Sequence, residues 1–336
     1  MKKVLITGVA GFIGQRLALQ LLENQDVEVF GIDSLTDYYA IDLKESRLRD
    51  LKGRPNFSFQ QIDICDTGTL VSLLASQDFD SVIHLAAQAG IRLPLSEYSR
   101  YVDSNLTGFS NILLSSAQHK VSNFLYASSS SVYGNSTNFP LSELELNPQP
   151  VSFYGSTKLS NEILARGLTS NSPMRTRGLR FFTVYGPMGR PDMAYFRIAA
   201  ALHFDKTFSL FGDGAVKRDF TFVGDVANSI ISLWSNLSDQ SLGFHDVVNV
   251  GGGKPCSMLD LISTLENISG KKLSIKYSED IAQDVRITVA DTRRQKDLIG
   301  VIPETLLEDG LREVWEWIKR PDVTSQLEAW TSGGIH

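Results

Sequence analysis

Two cysteines in 336 residues, Cys65 and Cys256, are too few for a disulfide framework or a cysteine-based zinc site, and both read as reduced, structural residues. The five histidines (His84, His119, His203, His245 and His336) show no metal-ligand spacing, so no metal is expected. His84 closes an apolar run and reads as a packed strand-end side chain. Basic residues are outnumbered, 32 Lys and Arg against 38 Asp and Glu, and the net charge of -6 argues against a nucleic-acid or anionic-membrane surface. No apolar run reaches the roughly 18 residues of a helical membrane span. Met1-Lys2-Lys3 with the apolar residues behind it mimics a signal peptide. The run is too short, and glycine turn chemistry breaks it at Gly8, so a first strand and a reducing cytoplasm are expected. Repeats and low-complexity tracts are absent as well.

What is present is ordinary globular material, 42% hydrophobic and 21% charged, long enough for one large domain or two smaller ones. Over the first half, short β-branched apolar runs alternate with helix-length segments. Strands are predicted at Val4–Thr7, Val27–Ile32, Phe57–Ile62, Ser81–Ala86, Phe124–Ser128 and Thr176–Val184. Helices are predicted at Phe12–Asn24, Ile41–Lys52, Thr67–Ser76, Tyr101–His119 and Tyr154–Ser170. Continuous apolar strands are buried on both faces, and their alternation with helices requires right-handed crossovers and a parallel sheet. The predicted fold is α/β, a doubly wound parallel sheet of the Rossmann type with a smaller mixed α/β lobe.

After Gly186 the rhythm changes. Helices are predicted at Met193–Phe204, Ser257–Ser269 and Pro303–Lys319, and short strands at Phe208–Phe211, Asp219–Val223 and Val247–Val250. The expected division is a cofactor domain over residues 1–186, rejoined by part of 219–252, and a substrate lobe over 187–336, with the tail after Pro321 loosely packed.

Gly8, Gly11 and Gly14 fall between the first strand and the first helix, which Phe12 and Ile13 open. A tight turn needs positive φ, a pyrophosphate needs backbone approach without Cβ, and helix–strand packing needs a small residue. Asp33 follows the second strand, nineteen residues after Gly14. A carboxylate there accepts hydrogen bonds from ribose hydroxyls and repels a 2′-phosphate, so NAD is favoured over its 2′-phosphorylated form. Asp63 and Ile64, after strand three, are placed to bracket the adenine. Leu85, Ala86, Ala87 and Gln88, after strand four, lie at the carboxyl edge of the sheet. Ordinary strand-end packing is the alternative for these six.

On a helix, positions four apart share a face. Tyr154 and Lys158 therefore point into one space, and a nearby ammonium is expected to pull the phenol below its usual pKa of about 10 and make it a proton acceptor. The spacing alone is common. The glycine-rich opening and the serine run Ser128–Ser131 give it weight.

Together, Gly8–Gly14, Asp33, His84-Leu85-Ala86-Ala87, the serine run before Tyr133-Gly134, and the Tyr154/Lys158 pair resemble the extended short-chain dehydrogenase/reductases of the nucleotide-sugar class, over nearly the whole chain. Within it the sequence is similar to the UDP-glucuronate 4-epimerases. Asp37-Tyr38-Tyr39, Ala89-Gly90-Ile91-Arg92, Ser128–Gly134 and the long stretch Arg180–Ala194 carry that likeness. The resemblance implies bound NAD, a UDP-sugar substrate and a homodimer paired through Tyr101–His119 and Tyr154–Ser170. It implies that Tyr154 is the base at the C4 hydroxyl, that Lys158 tunes it and holds the nicotinamide ribose, and that Ser129 bonds the reacting hydroxyl. Ser128 and Asn105 belong with the cofactor site, Arg92 with the substrate site. Arg218 is placed like the arginine that grips the diphosphate; a surface charge is its alternative.

Sugar 4,6-dehydratases of this class carry an Asp-Glu pair after the catalytic serine, and UDP-glucuronate decarboxylases a glutamate. This chain has Ser130 and Ser131. Oxidation of glucuronate at C4 gives a β-keto acid, which loses CO2 when the carboxylate bond aligns with the carbonyl π system. An epimerase must hold that carboxylate out of line, and Ser130, Ser131, Thr183 and Arg190 are the candidate clamp. A loop-anchoring role is the alternative for Arg190. Gly155-Ser156 replaces the small apolar pair usual after the tyrosine. Ile281 stands where hexose epimerases place a diphosphate-binding arginine; Asp284 remains, and Arg286 is the expected substitute. The competing readings are a UDP-glucose or UDP-pentose 4-epimerase, a UDP-glucuronate decarboxylase, and a cofactor-binding protein without activity.

Overall fold

The computed structural model describes residues 1–145, 147–279 and 285–332. The first half runs β1 (Lys2–Thr7), α1 (Phe12–Leu21), β2 (Val27–Asp33), α2 (Ile41–Leu51), β3 (Phe57–Gln61), α3 (Thr67–Ser76) and β4 (Ser81–His84). It continues through α4 (Ser99–Tyr101), a π-helical segment Val102–Gly108 and α5 (Phe109–Gln118) to β5 (Asn123–Ser129), then a 3-10 turn at Ser130–Tyr133, α6 (Phe153–Thr169) and β6 (Arg175–Phe181). The second half comprises β7 (Thr183–Tyr185), α7 (Ala194–His203), β8 (Thr207–Phe211), β9 (Lys217–Phe222), α8 (Val223–Ser238) and β10 (His245–Val250). It closes with β11 (Pro255–Ser257), α9 (Met258–Ser269), β12 (Ser274–Ser278), α10 (Arg293–Ile299), α11 (Leu307–Ile318) and α12 (Pro321–Ser332).

Seven strands form one sheet in the order β10-β6-β5-β4-β1-β2-β3, every adjacent pair parallel. The order reverses between β1 and β4. Helices that follow strands on the two sides of this point cover opposite faces, so the loops after β1 and β4 diverge and leave a crevice at the carboxyl edge. Apolar strands such as Val4–Ile6 and Val82–Ile83 are fully buried because helices cover both faces. Beside this sheet lie a three-stranded sheet, β11-β9-β7, and a parallel pair, β8 and β12.

Several features depart from the sequence reading, which also did not predict β11, β12 or α10. The run Thr176–Val184 is two strands, interrupted at Phe182, with β6 in the large sheet and β7 in the small one. The predicted helix Tyr101–His119 contains a π-helical segment. The sixteen-residue α8 went unpredicted, and it packs against α1. The tail after Pro321 is not loose: α12 buries Val323, Leu327 and Trp330, the last with its ring stacked on Trp317. Among the described residues no helix is long and apolar enough to cross a membrane.

Candidate functional site

Gly8 leaves β1 with φ +73, and a Cβ there would stand 2.6 Å from the Ala86 amide nitrogen, in the loop after β4. The two loops that flank the crevice thus touch backbone to backbone. The Gly8 carbonyl accepts from Gly11 N at 2.9 Å, and α1 begins at Phe12 with no side-chain cap, so its first amides point into the crevice. Asp33 ends β2 beside this turn and accepts from Ala10 N at 3.1 Å and Leu35 N at 2.9 Å. Burial pushes its carboxyl up, and those amides with Lys44 and Arg47 pull it back. A glycine cradle, an uncapped helix and a carboxylate at the end of the second strand suit a dinucleotide.

The other cofactor candidates hold the crevice walls together. Asp63 Oδ1 accepts from Cys65 N at 2.8 Å, and Ile64 is buried against Gly108 of the π-helical segment. Leu85 N and Ala86 N bond the carbonyl and hydroxyl of Thr7 at 3.1 and 3.2 Å. Asn105 Oδ1 accepts from Gln88 N at 2.8 Å, and its Nδ2 donates to Gln88 O and to Thr157 Oγ1, both at 3.1 Å. The π turn projects Asn105 inward, which ties the loop after β4 to α6. The hydroxyl of Ser128 is committed elsewhere, to Glu162 Oε1 at 2.5 Å. His84 is buried, bonded to Thr7 Oγ1 at 2.7 Å and pushed down to about 3 by burial, a packed neutral imidazole.

Ser129 ends β5 and caps the following 3-10 turn, its Oγ accepting from Ser131 N at 3.1 Å. Ser130 and Ser131 form the turn itself. Ser152 caps α6 by accepting from Gly155 N at 3.1 Å, which sets Tyr154 and Lys158 in its first two turns. Gly155 is what lets α6 approach: a Cβ there would stand 2.6 Å from the Ser131 carbonyl. The Ser129 hydroxyl is near enough to the Tyr154 phenol to pull it down, and Lys158 Nζ lies 5.8 Å from the Tyr154 ring centre and donates to Ala127 O at 3.0 Å.

The electrostatics correct the expectation for Tyr154. Its phenol is raised, not lowered, because burial outweighs the groups that favour the anion; the cation that pulls it back is Arg190, with the Ser129 hydroxyl next. Lys158 is itself pushed down to about 8 by burial, and among the described residues no carboxylate pairs with it. Arg190 is part-buried and bridges Asp192, with Nε on Oδ1 at 3.0 Å and Nη2 on Oδ2. Its guanidinium also lies over the Tyr38 ring, 5.8 Å away. The wall opposite is aromatic: Tyr101 sits 6.1 Å from Tyr154 and 5.9 Å from Phe153, and its hydroxyl donates to Gly90 O at 2.7 Å.

The remaining candidates are spread more widely. Thr183 begins β7, paired with Phe220. Arg92 lies with its guanidinium 5.8 Å from the Phe211 ring. Arg218 is on β9 in the small sheet, opposite Cys256, its Nη1 donating to Lys217 O at 2.9 Å. Asp284 and Ile281 lie outside the described residues; the Arg286 carbonyl accepts from Lys217 N at 2.9 Å, so this segment borders the Arg218 strand. Both cysteines are free, and burial raises each to about 11, which leaves them unreactive thiols.

Residues 4–251 match the NAD dependent epimerase/dehydratase family. The chain belongs to that family. Among curated relatives, a UDP-glucuronate 4-epimerase of Thermodesulfobacterium geofontis is 39% identical over 316 residues, covering 94% of this chain and 95% of that protein. The solved structure of a UDP-glucuronic acid 4-epimerase from Bacillus cereus, with UDP-glucuronic acid and NAD, superimposes with a TM-score of 0.88 at 36% identity, over 95% of this chain and 99% of that one. A UDP-glucose 4-epimerase from Thermotoga maritima gives 0.85 at 27% identity over 95% and 99%. The glycine cradle and Asp33 therefore belong to an NAD-dependent epimerase/dehydratase fold.

Sequence reasoning missed four side chains here. Asp192 holds Arg190; its signal was the Arg-Pro-Asp triplet at the end of a quoted motif. Arg47 and the buried Glu162–Arg180 pair (Nε–Oε1 2.9 Å, Nη2–Oε2 2.8 Å) gave no signal, because a charged residue in a helix or strand reads as solvated.

Proposed function

We propose that this protein interconverts UDP-glucuronate and UDP-galacturonate by epimerisation at C4. The observation that carries the reading is a serine turn with no carboxylate at positions 130 and 131, packed against the start of α6 where Tyr154 lies, its phenol held down by the Arg190 charge. Tyr154 accepts the proton of the C4 hydroxyl, which Ser129 holds in place by a second hydrogen bond. To accept that proton Tyr154 must already be the phenolate, a form that the positive charge of Lys158 and Arg190 favours; the phenol that results returns the proton when hydride returns. NAD, when bound, supplies the acceptor for the C4 hydride and its return to the opposite face. Arg190 and the hydroxyls of Ser130, Ser131 and Thr183 clamp the C5 carboxylate and keep it out of line with the C4 carbonyl. The Asp192 bridge uses Nε and Nη2, so Nη1 is the donor Arg190 presents. Arg92, Arg218 and Asp284 serve the nucleotide diphosphate and sugar.

The enzyme works as a cytoplasmic homodimer in this reading. Leu114 of α5 and Ile163 and Leu164 of α6 are 51%, 65% and 43% exposed, an apolar strip on adjacent helices suited to a second copy. The test is an NMR time course with UDP-glucuronate and no added cofactor. A new UDP-galacturonate anomeric signal is the expected result. UDP-xylose or a 4-keto pentose would make the protein a decarboxylase, and no change even with NAD supplied would redirect the search to UDP-glucose and UDP-pentoses.

A further inference from the structure

Arg47 is fully buried on the inner face of α2, and among the described residues no carboxylate bridges it. Its guanidinium donates instead to four acceptors on three segments. Nη1 reaches Ala10 O at 3.1 Å, inside the glycine-rich turn, and the Tyr39 hydroxyl at 2.6 Å. Nε and Nη2 reach Met188 O at 2.9 and 2.7 Å, and Nη2 also reaches Gly189 O at 3.0 Å. A buried guanidinium is costly unless its donors are filled, and an apolar side chain would fill the same space at less cost. What a planar fork adds is simultaneous bonding in fixed directions.

The segments it joins are the two halves of the site. Ala10 lies between Gly8 and Gly11, and its amide holds Asp33. Met188 is a non-glycine residue in the left-handed region, φ +61, a conformation that costs about 1 kcal/mol or more and needs an outside hold. Two of the Arg47 hydrogen bonds supply that hold on its carbonyl. Arg190 follows two residues later. A continuous line of hydrogen bonds and short backbone links thus runs from Asp33 through Ala10, Arg47 and Met188 to Arg190 and Asp192.

We infer that Arg47 is a positioning residue that joins the glycine-rich cofactor turn to the Met188–Arg190 arm, so that NAD binding at one end stiffens the arm at the other. Ligand-induced ordering passes between sites in this way when both are braced to one rigid element. The joint is independent of which sugar is used. Only its effect on uronate preference rests on the function proposed above.

The test is hydrogen exchange on the full chain, with and without saturating NAD, in wild type and Arg47→Lys. In wild type, NAD is expected to slow exchange in both 8–14 and 186–193. In Arg47→Lys, whose single ammonium cannot reach both segments, protection is expected at 8–14 alone. Equal protection of 186–193 in the variant, or none there in wild type, would overturn the inference. Tyr39→Phe removes one acceptor and leaves the ring; it is expected to weaken the spread of protection, and it answers the question should Arg47→Lys fail to fold. As a second readout, the preference for binding UDP-glucuronate over UDP-glucose should fall about tenfold in Arg47→Lys, the size expected for one misplaced charge-assisted hydrogen bond. A wild type with no such preference would sink the uronate reading while the exchange result still judged the joint.

Discussion

Lys158 should destabilise the cofactor-free protein at neutral pH, and Lys158→Met should be more stable than wild type. The ammonium is buried, and burial lowers it from the ordinary 10.5 to about 8. Below pH 8 the group is charged in both folded and unfolded chains, so the folded state carries the full desolvation cost. Above about 10.4 it is neutral in both and the cost vanishes. Stability contributed through this residue therefore rises with pH between those limits, by about 3 kcal/mol at 1.4 kcal/mol per pH unit. Methionine fills the same volume but leaves the Ala127 carbonyl without its 3.0 Å donor, a loss of about 1 kcal/mol. The net expectation is a variant more stable by about 2 kcal/mol at pH 7, with the advantage gone or reversed by pH 10. Urea denaturation of NAD-free wild type and variant at pH 7, 8.5 and 10 measures it, and taking the difference between the two cancels the buried tyrosines, which titrate in both. A variant less stable at pH 7, or an advantage that does not change with pH, would refute the reasoning.

Three further outcomes follow from the geometry. Asp192→Asn removes the charge that offsets Arg190, so the Tyr154 phenol should fall and the acid limb of the kcat/KM profile move to lower pH, by up to about one unit. Arg180→Met should cost about 3–5 kcal/mol in denaturant because it leaves the buried Glu162 carboxylate without its cation and with only the Ser128 hydroxyl bonded to it, and Glu162→Gln added to it should recover much of that. Gly155→Ala places a methyl against the Ser131 carbonyl and should move α6 away from the serine turn, lowering kcat by about tenfold or more with NAD affinity little changed; unchanged kcat would mean that the helix shifts without disturbing Tyr154.

The parallel sheet was legible because its strands announce themselves: a strand buried on both faces must be apolar throughout, as Val4–Ile6 and Val82–Ile83 are. α8 was legible too and was passed over. Val223, Val226, Ala227, Ile230, Leu233, Trp234 and Leu237 fall at helical spacing and are all buried, but Gly224 and four interleaved serines weaken the local propensity for helix. Tertiary packing against α1 decides the matter. Tyr154, Lys158, Ser129 and the glycine cradle could be placed because each depends on a local turn or helix register. The sign of the Tyr154 shift could not, since it depends on burial and on Arg190, which arrives from a loop 36 positions further along the chain. Arg47 was invisible for the same reason: its acceptors are carbonyls and a hydroxyl brought to it by the fold.

β10 is the outermost strand of the large sheet, yet it is encoded after β7, α7, β8, β9 and α8. No uninterrupted stretch of the gene therefore spells out a cofactor-binding unit alone. A product ending near Gly186 would leave the seven residues of β6 as an edge strand without its β10 partner, its backbone groups open to pairing with any other extended chain, and would behave as an aggregating fragment rather than as half an enzyme. Exchange of substrate lobes between this protein and its relatives, in the laboratory or by recombination, has to be spliced at more than one junction: ahead of β7, and again on either side of β10.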